Sequence, residues 1–223
     1  MKLYYNAVSV TSRPVWLFVE EEKIPVEMVS VDLGKGEHYQ PPFTALNPNR
    51  LVPVLDDDGF ILTESSAILK YLADKTGSAA YPKDLKARAR VNERMDWFNT
   101  QFYRELGYHL VYPQVFPHHK RPDEAVQRGT LDWGREKLTT ALQVLDQNVL
   151  ANSKFVAGDQ PTIADYLGAC FLSAGDWIGC RWEQYPNIRR WRNAMRALPS
   201  WNKVHEVHNG FAASLAGKEF ARI

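Results

Sequence analysis

The sequence predicts a mixed α/β domain followed by an all-helical one. Three observations carry this. Residues 1–31 read strand, helix, strand at the spacing of a βαβ unit, Asp56-Asp57-Asp58-Gly59 joins two short apolar runs, and the apolar stripes beyond residue 82 fall at helical spacing. Composition divides at the same place. Residues 1–80 hold 7 Lys+Arg against 11 Asp+Glu, a net of −4, while residues 81–223 hold 20 against 15, a net of +5, with six of the seven tryptophans.

Leu3–Tyr5 is short, apolar and aromatic, and reads as a first strand. Ser12-Arg13-Pro14 looks like a helix start, with Ser12 as the cap and proline near the first turn. Val15, Trp16, Phe18 and Val19 give that helix an apolar face, and Pro25 stops it. Val26–Val31 is a second strand, which a βαβ connection makes parallel to the first. A loop rich in Gly, Pro and Asn follows, from Gly34 to Asn49. Pro53-Val54-Leu55 and Phe60-Ile61-Leu62 form a hairpin across the Asp-Gly turn. Thr63-Glu64-Ser65-Ser66 opens a helix with Ile68, Leu69 and Leu72 on its inner face. Beyond a weakly patterned linker, Leu138, Ala141, Leu142 and Leu145 make one core-facing helix stripe, and Ile188, Trp191, Met195 and Leu198 make another. Thr162 with Asp165 resembles a capping box. The expected bounds are an α/β domain at 1–76, a linker at 77–86 and a helical domain at 87–223.

Net charge is +1 over 223 residues, which gives no electrostatic case for nucleic acid or an anionic membrane. Hydrophobic residues are 45% and charged residues 24%, within the globular range. Cys170 and Cys180 are too few for a disulfide framework and lack C-x-x-C spacing, so neither a dithiol centre nor structural zinc is expected. No apolar run reaches membrane-spanning length and the start lacks a signal peptide's apolar region, so the expectation is a cytoplasmic protein.

Three segments can carry chemistry. Asn6–Arg13 places Ser9, Thr11 and Ser12 between a strand and a helix start, where hydroxyls and free amides suit an anion. No His or Lys lies near Ser9 in sequence and no G-x-S-x-G elbow is present, which disfavours a serine nucleophile. Val52-Pro53 opens a strand, and a cis bond there would expose the Val52 backbone to a ligand. At Thr63–Ser66, free amides suit a carboxylate and Glu64 suits an ammonium, so together they fit an amino-acid zwitterion. Simple turn and cap roles would explain each segment taken alone.

Taken in order, the segments resemble the glutathione S-transferase superfamily. The resemblance rests on Asn47-Pro48 followed by Val52-Pro53-Val54-Leu55, on Leu62-Thr63-Glu64-Ser65 with Ala67-Ile68 and Tyr71-Leu72, on Gly158–Asp165, and on Tyr185-Pro186-Asn187-Ile188 with Trp191. It covers about residues 1–205. It implies a thioredoxin-like N-terminal domain and an all-α C-terminal domain. The first loop, with Ser9 four residues before Arg13, and the segment from Val31 to His38 are similar to the bacterial theta- and delta-like serine classes. The chain departs from that pattern at Thr11-Ser12, where relatives commonly carry Pro-Cys. No cysteine near the first helix supports a cysteine class, and Tyr5 reads as a packed core residue rather than a tyrosine-class partner.

The resemblance implies glutathione as co-substrate, with no metal. Ser9 would donate to its sulfur, with Ser12 as the secondary candidate. Val52 before a cis Pro53 would meet the cysteinyl backbone. Glu64 and Ser65 would hold the γ-glutamyl end, and His38 and Arg50 would face the glycine carboxylate. Tyr103, Tyr108, Tyr112, Phe116 and Trp177 would wall the electrophile, with the adjacent His118 and His119 expected in an exposed loop. The tail from His205, including Phe211, would cover the pocket or pack on the surface. The implied activity is conjugation to small hydrophobic electrophiles, with hydroperoxide reduction or dehalogenation as further activities of such relatives. A homodimer is expected, and the acidic first domain against the basic second suits it. A glutathione-dependent isomerase is the enzymatic alternative, disfavoured because Val8-Ser9-Val10 lacks a Ser-Ser-Cys run. A non-catalytic interaction module is the other.

Overall fold

A computed structural model describes all residues, Met1–Ile223. The N-terminal domain is thioredoxin-like. Strands β1 (Lys2–Tyr5), β2 (Glu27–Ser30), β3 (Val54–Asp57) and β4 (Phe60–Thr63) form one sheet in the order β2-β1-β3-β4. β1 and β2 are parallel, with Leu3 opposite Met28, because helix α1 (Ser12–Glu21) crosses between them. β3 runs antiparallel to β1 and pairs with β4 as a hairpin. The acidic segment expected as a turn divides. Asp56 and Asp57 stay in β3, and Asp58 and Gly59 make the turn with φ of 53° and 94°, as a primed hairpin turn requires.

Two local expectations change. Ser12 is not the cap of α1 but its first residue, and Ser9 Oγ accepts the Ser12 amide instead. The Gly/Pro/Asn loop holds a short 3₁₀ turn at Glu37–Tyr39 and a helix α2 (Pro41–Leu46). Prolines are tolerated in the first helical turn, where amide protons have no intrahelical partner. Six residues with one buried side chain, Phe43, leave no periodic stripe in sequence.

Helix α3 (Ser65–Thr76) returns along the sheet and ends on Gly77, whose φ of 67° closes a left-handed cap. Ala80 and Tyr81 of the expected linker are buried, and Asp84 caps helix α4 (Leu85–Trp97) by accepting the Ala87 amide. From Leu85 to Val115 the chain is one helical rod. It is α-helical in α4, widens to π-turns over Phe98–Phe102 and Arg104–Val111, and closes as α5 (Tyr112–Val115). Against it lies α6 (Glu124–Val144). Gly134 permits the close approach, because a Cβ there would lie 2.9 Å from His109 Cβ and 3.0 Å from its carbonyl carbon.

Helix α7 (Ile163–Ser173) is buried along its whole length, and α1, α3, α4 and α8 (Pro186–Arg196) all pack on it. Its start is the capping box read from sequence. Asp165 accepts the Thr162 amide and hydroxyl, the Val156 amide and the Trp191 indole N–H. Leu138, Leu142 and Leu145 are buried, as are Ile188, Trp191 and Met195, so both helix stripes face the core. Helix α9 (Trp201–Ser214) closes the domain over α1. No helix is long and apolar enough to cross a membrane.

Candidate functional site

The site follows from sheet register. Tyr4 of β1 lies opposite Val54, Val54 lies opposite Thr63, and Tyr5 lies beside Ser30. β1, β2 and β4 therefore leave the sheet where β3 enters it. The Asn6–Thr11 loop, Val31–His38, Val52-Pro53 and Glu64-Ser65 gather at that one end.

Ser9 is half-buried there. Its Oγ lies 3.0 Å from Thr11 Oγ1 and accepts the Ser12 amide at 3.2 Å. Ser12 does not share this exposure. It is completely buried and its Oγ accepts the Asn6 amide, which removes it as a ligand contact. The Val52–Pro53 peptide is cis, and the Val52 carbonyl accepts the Thr11 hydroxyl at 2.9 Å. Glu64 is exposed at the cap position of α3 with φ 68° and ψ 115°, and no side chain caps the helix amides that follow. A non-glycine residue held there costs about 1–3 kcal/mol, and such strain clusters at functional sites. Ser65 is buried at the helix start. Uncapped amides beside a carboxylate can take a ligand bearing both signs of charge.

His38 and Arg50 are joined through Tyr39. The His38 and Tyr39 ring centres lie 3.9 Å apart, and the Arg50 guanidinium carbon sits 5.7 Å from the Tyr39 ring centre. His38 Nδ1 is buried with no hydrogen-bond partner. Burial, and then the charge of His118, lowers the His38 pKa.

The five aromatic residues form one cluster with two layers. Tyr103, Tyr112 and Trp177 are buried, and Tyr103 and Tyr112 share a short hydroxyl–hydroxyl bond. Tyr103 also stacks on Phe171 at 4.2 Å. Tyr103 and Trp177 are thus a floor rather than a free wall. Tyr108, 42% exposed, and the half-buried Phe116 are the accessible members. Burial and then the Glu64 charge raise the Tyr108 pKa. His119 differs from the exposed loop expected of it. It is half-buried, 5.2 Å from Tyr112 and 5.8 Å from Tyr108, whereas His118 is exposed. Phe211 of α9 stacks on Phe116 at 6.0 Å and meets Trp177 at 5.1 Å, joining the pocket. The last residues form a strap, with Ala221 exchanging two hydrogen bonds with Gln114.

Three residues take roles that their place in the sequence does not show. Thr11 reads only as one hydroxyl of the first loop, with no sign of its bond to Val52, and Tyr39 has no signal beyond lying beside His38. Arg13 reads as a motif residue, yet it is fully buried and donates to Ser173 Oγ of α7 at 3.0 Å. No group of three or more His, Cys, Asp or Glu is arranged to hold a metal ion.

Two family models match the chain: the glutathione S-transferase N-terminal domain over residues 1–74 and the glutathione S-transferase C-terminal domain over residues 112–199. Rat glutathione S-transferase theta-2 is 35% identical over 220 residues, covering 94% of this chain and 86% of its own. A solved delta-class glutathione transferase of Nilaparvata lugens superposes with a TM-score of 0.84 at 34% identity, covering 96% of this chain and 97% of its own. Human glutathione transferase theta-2, solved with glutathione and an unknown ligand, superposes with a TM-score of 0.84 at 32% identity, covering 100% of this chain and 93% of its own.

Proposed function

The chain belongs to the glutathione S-transferase superfamily, and from that premise we propose that the sheet end binds glutathione and that Ser9 stabilises its thiolate for attack on small hydrophobic electrophiles. The observation that carries this reading is the gathering of Ser9, Val52, Glu64 and Ser65 at one end of the sheet, with the Val52 carbonyl tied to the first loop through Thr11. In this reading the Val52 backbone meets the cysteinyl unit. Glu64 takes the ammonium and the α3 amides with Ser65 take the γ-glutamyl carboxylate. His38 and Arg50 face the glycine end. Tyr108 and Phe116, on a floor of Tyr103, Tyr112 and Trp177, form the wall for the electrophile.

The energetics suffice without a general base. Lowering a thiol pKa from about 8.5 to about 6.5 takes roughly 2.7 kcal/mol. A hydrogen bond to a charged group supplies about 1.5–3 kcal/mol. The N-terminus of α1 adds about 0.3–1 kcal/mol, and it reaches the site through the Ser12 amide on Ser9 Oγ. Ser9 is then a donor and not a nucleophile, and the electrophile is attacked by sulfur held at close range.

The serine of the first loop and the theta relatives support a theta-like serine class. The division into 1–76, 77–86 and 87–223 and a cytoplasmic homodimer are part of the same proposal. Phe60 and Trp133, each about half exposed, are large apolar side chains available to a second copy.

The test is Ser9→Ala, read by the thiolate absorbance of bound glutathione against pH. The bound thiol pKa is expected to rise by about 1–2 units, with a loss of about 3–25-fold in conjugation rate at neutral pH as the thiolate fraction falls. Full activity with an unshifted thiolate titration overturns the role of Ser9.

A further inference from the structure

We infer that Thr11 is a positioning residue that holds the Ser9 proton until the sulfur is ionised. The inference rests on the reading of Ser9 given above. It comes from counting protons. The Thr11 hydroxyl has one proton, and the Val52 carbonyl, 2.9 Å away, can only accept. Thr11 therefore donates to Val52, and in its 3.0 Å contact with Ser9 the donor is Ser9. Ser9 Oγ in turn accepts the Ser12 amide. The serine hydroxyl is complete within the protein, with one bond donated and one accepted.

The consequence depends on the charge of the sulfur. A neutral thiol is a weak acceptor and does not draw the Ser9 proton from Thr11. A thiolate does, because a hydrogen bond to an ionised acceptor is about twice as strong as a neutral one. Ser9 keeps its proton throughout and only turns it, while the thiol proton leaves to solvent. Thr11 thus stabilises the state in which glutathione is bound as the neutral thiol. It sets how far the bound thiol pKa falls, and it stops the Ser9 donor from pointing unpaired into the cleft.

Removing this competing acceptor lowers the bound thiol pKa, whereas losing Ser9 raises it. Thr11→Val keeps the shape and removes the hydroxyl. It is expected to shift the thiolate titration of bound glutathione downward by about 0.4–1 pH unit, the worth of one neutral hydrogen bond. Thr11→Ser keeps the acceptor and is expected to titrate like the parent. In a Ser9→Ala background, Thr11→Val is expected to leave the titration unmoved. Should Thr11→Val fail to fold, Thr11→Ala is expected to give the same downward shift. A purely structural tether between the first loop and Val52 predicts something else: a higher KM for glutathione with the thiol pKa unchanged or raised. That result overturns the role of Thr11. If Ser9→Ala also leaves the titration unmoved, the reading of Ser9 fails as well. If Ser9→Ala raises the pKa while Thr11→Val does not lower it, only Thr11 falls.

Discussion

Acid should loosen this protein, and two buried histidines are the reason. His205 and His208 lie on α9 with 1% and 0% of their surface exposed. His205 is wired as a neutral ring, whereas His208 also sets Nδ1 against Asn209 Oδ1 at 3.2 Å, which offsets part of the downward push on its pKa. His205 Nδ1 donates to the Trp201 carbonyl, leaving Nε2 to face Cys170 Sγ at 3.9 Å, and His208 Nε2 donates to the Ser173 carbonyl at 3.2 Å. Burial, then the buried charge of Arg13, holds His205 down at about 2 and His208 at about 3. Arg196 and Arg192 act in the same direction, one on each ring. In the unfolded chain both rings titrate near 6.5. Between that value and the folded ones the unfolded state binds more protons, so stability falls as pH drops through the window. At pH 5 each ring has lost about 2 kcal/mol relative to neutral pH, or about 4 kcal/mol for the pair. For a chain of this length that is a fall in Tm on the order of 10 °C. Thermal unfolding followed by tryptophan fluorescence at pH 7 and pH 5 measures it. The comparison is a variant carrying His205→Phe, which retains the stack on Trp201, and His208→Gln, which retains a donor for Ser173. That variant is expected to lose most of the acid sensitivity. If it loses as many degrees as the parent between the two pH values, the buried histidines are not its origin.

Two further outcomes test packing and strain. A Cβ on Gly168 of α7 would lie 2.2 Å from Phe98 Cζ. Gly168→Ala is therefore expected to destabilise by about 1–3 kcal/mol despite the better helix propensity of alanine, and Phe98→Leu in the same chain to recover part of it, as denaturant titration would show. Glu64→Gly relieves the backbone held at φ 68° while deleting the carboxylate. It is expected to gain up to about 1 kcal/mol in thermal stability and to bind glutathione about tenfold more weakly, a trade that a calorimetric titration separates from unfolding.

What could be read from sequence follows the range of the constraint. Ser9, Val52-Pro53 and Glu64-Ser65 sit at strand ends and helix starts, where local chain geometry forces unpaired amides and hydroxyls, so a few residues suffice to mark them. The hairpin register then brings them together. Thr11 is legible as a hydroxyl of the first loop, but its bond to Val52 is not, because that partner lies 41 residues away. The rod was harder to read because its π-turns over Phe98–Phe102 and Arg104–Val111 shift the periodicity away from 3.6 residues. That slip is why Tyr103, Tyr108 and Tyr112 looked equivalent in sequence, while in the fold Tyr103 and Tyr112 are buried and Tyr108 is not.

The first turn of α1 ties these two kinds of constraint together. The Ser12 amide binds Ser9 Oγ, and the next residue, Arg13, is buried in the helical domain with its guanidinium on Ser173. Ser173 also donates to the Cys170 carbonyl at 2.6 Å, and its own carbonyl accepts His208. One helical turn is thus fixed on one side to the hydroxyl beside the sheet end and on the other to the central helix α7. Moving Arg13 would require leaving a charge buried without its single hydrogen-bond partner, which costs far more than a side-chain rotation at the surface. The orientation of Ser9 is therefore set by packing in the helical domain as much as by the sheet that carries it. A substitution at Ser173 or His208, both in the helical domain, therefore has a mechanical route to Ser9 through Arg13.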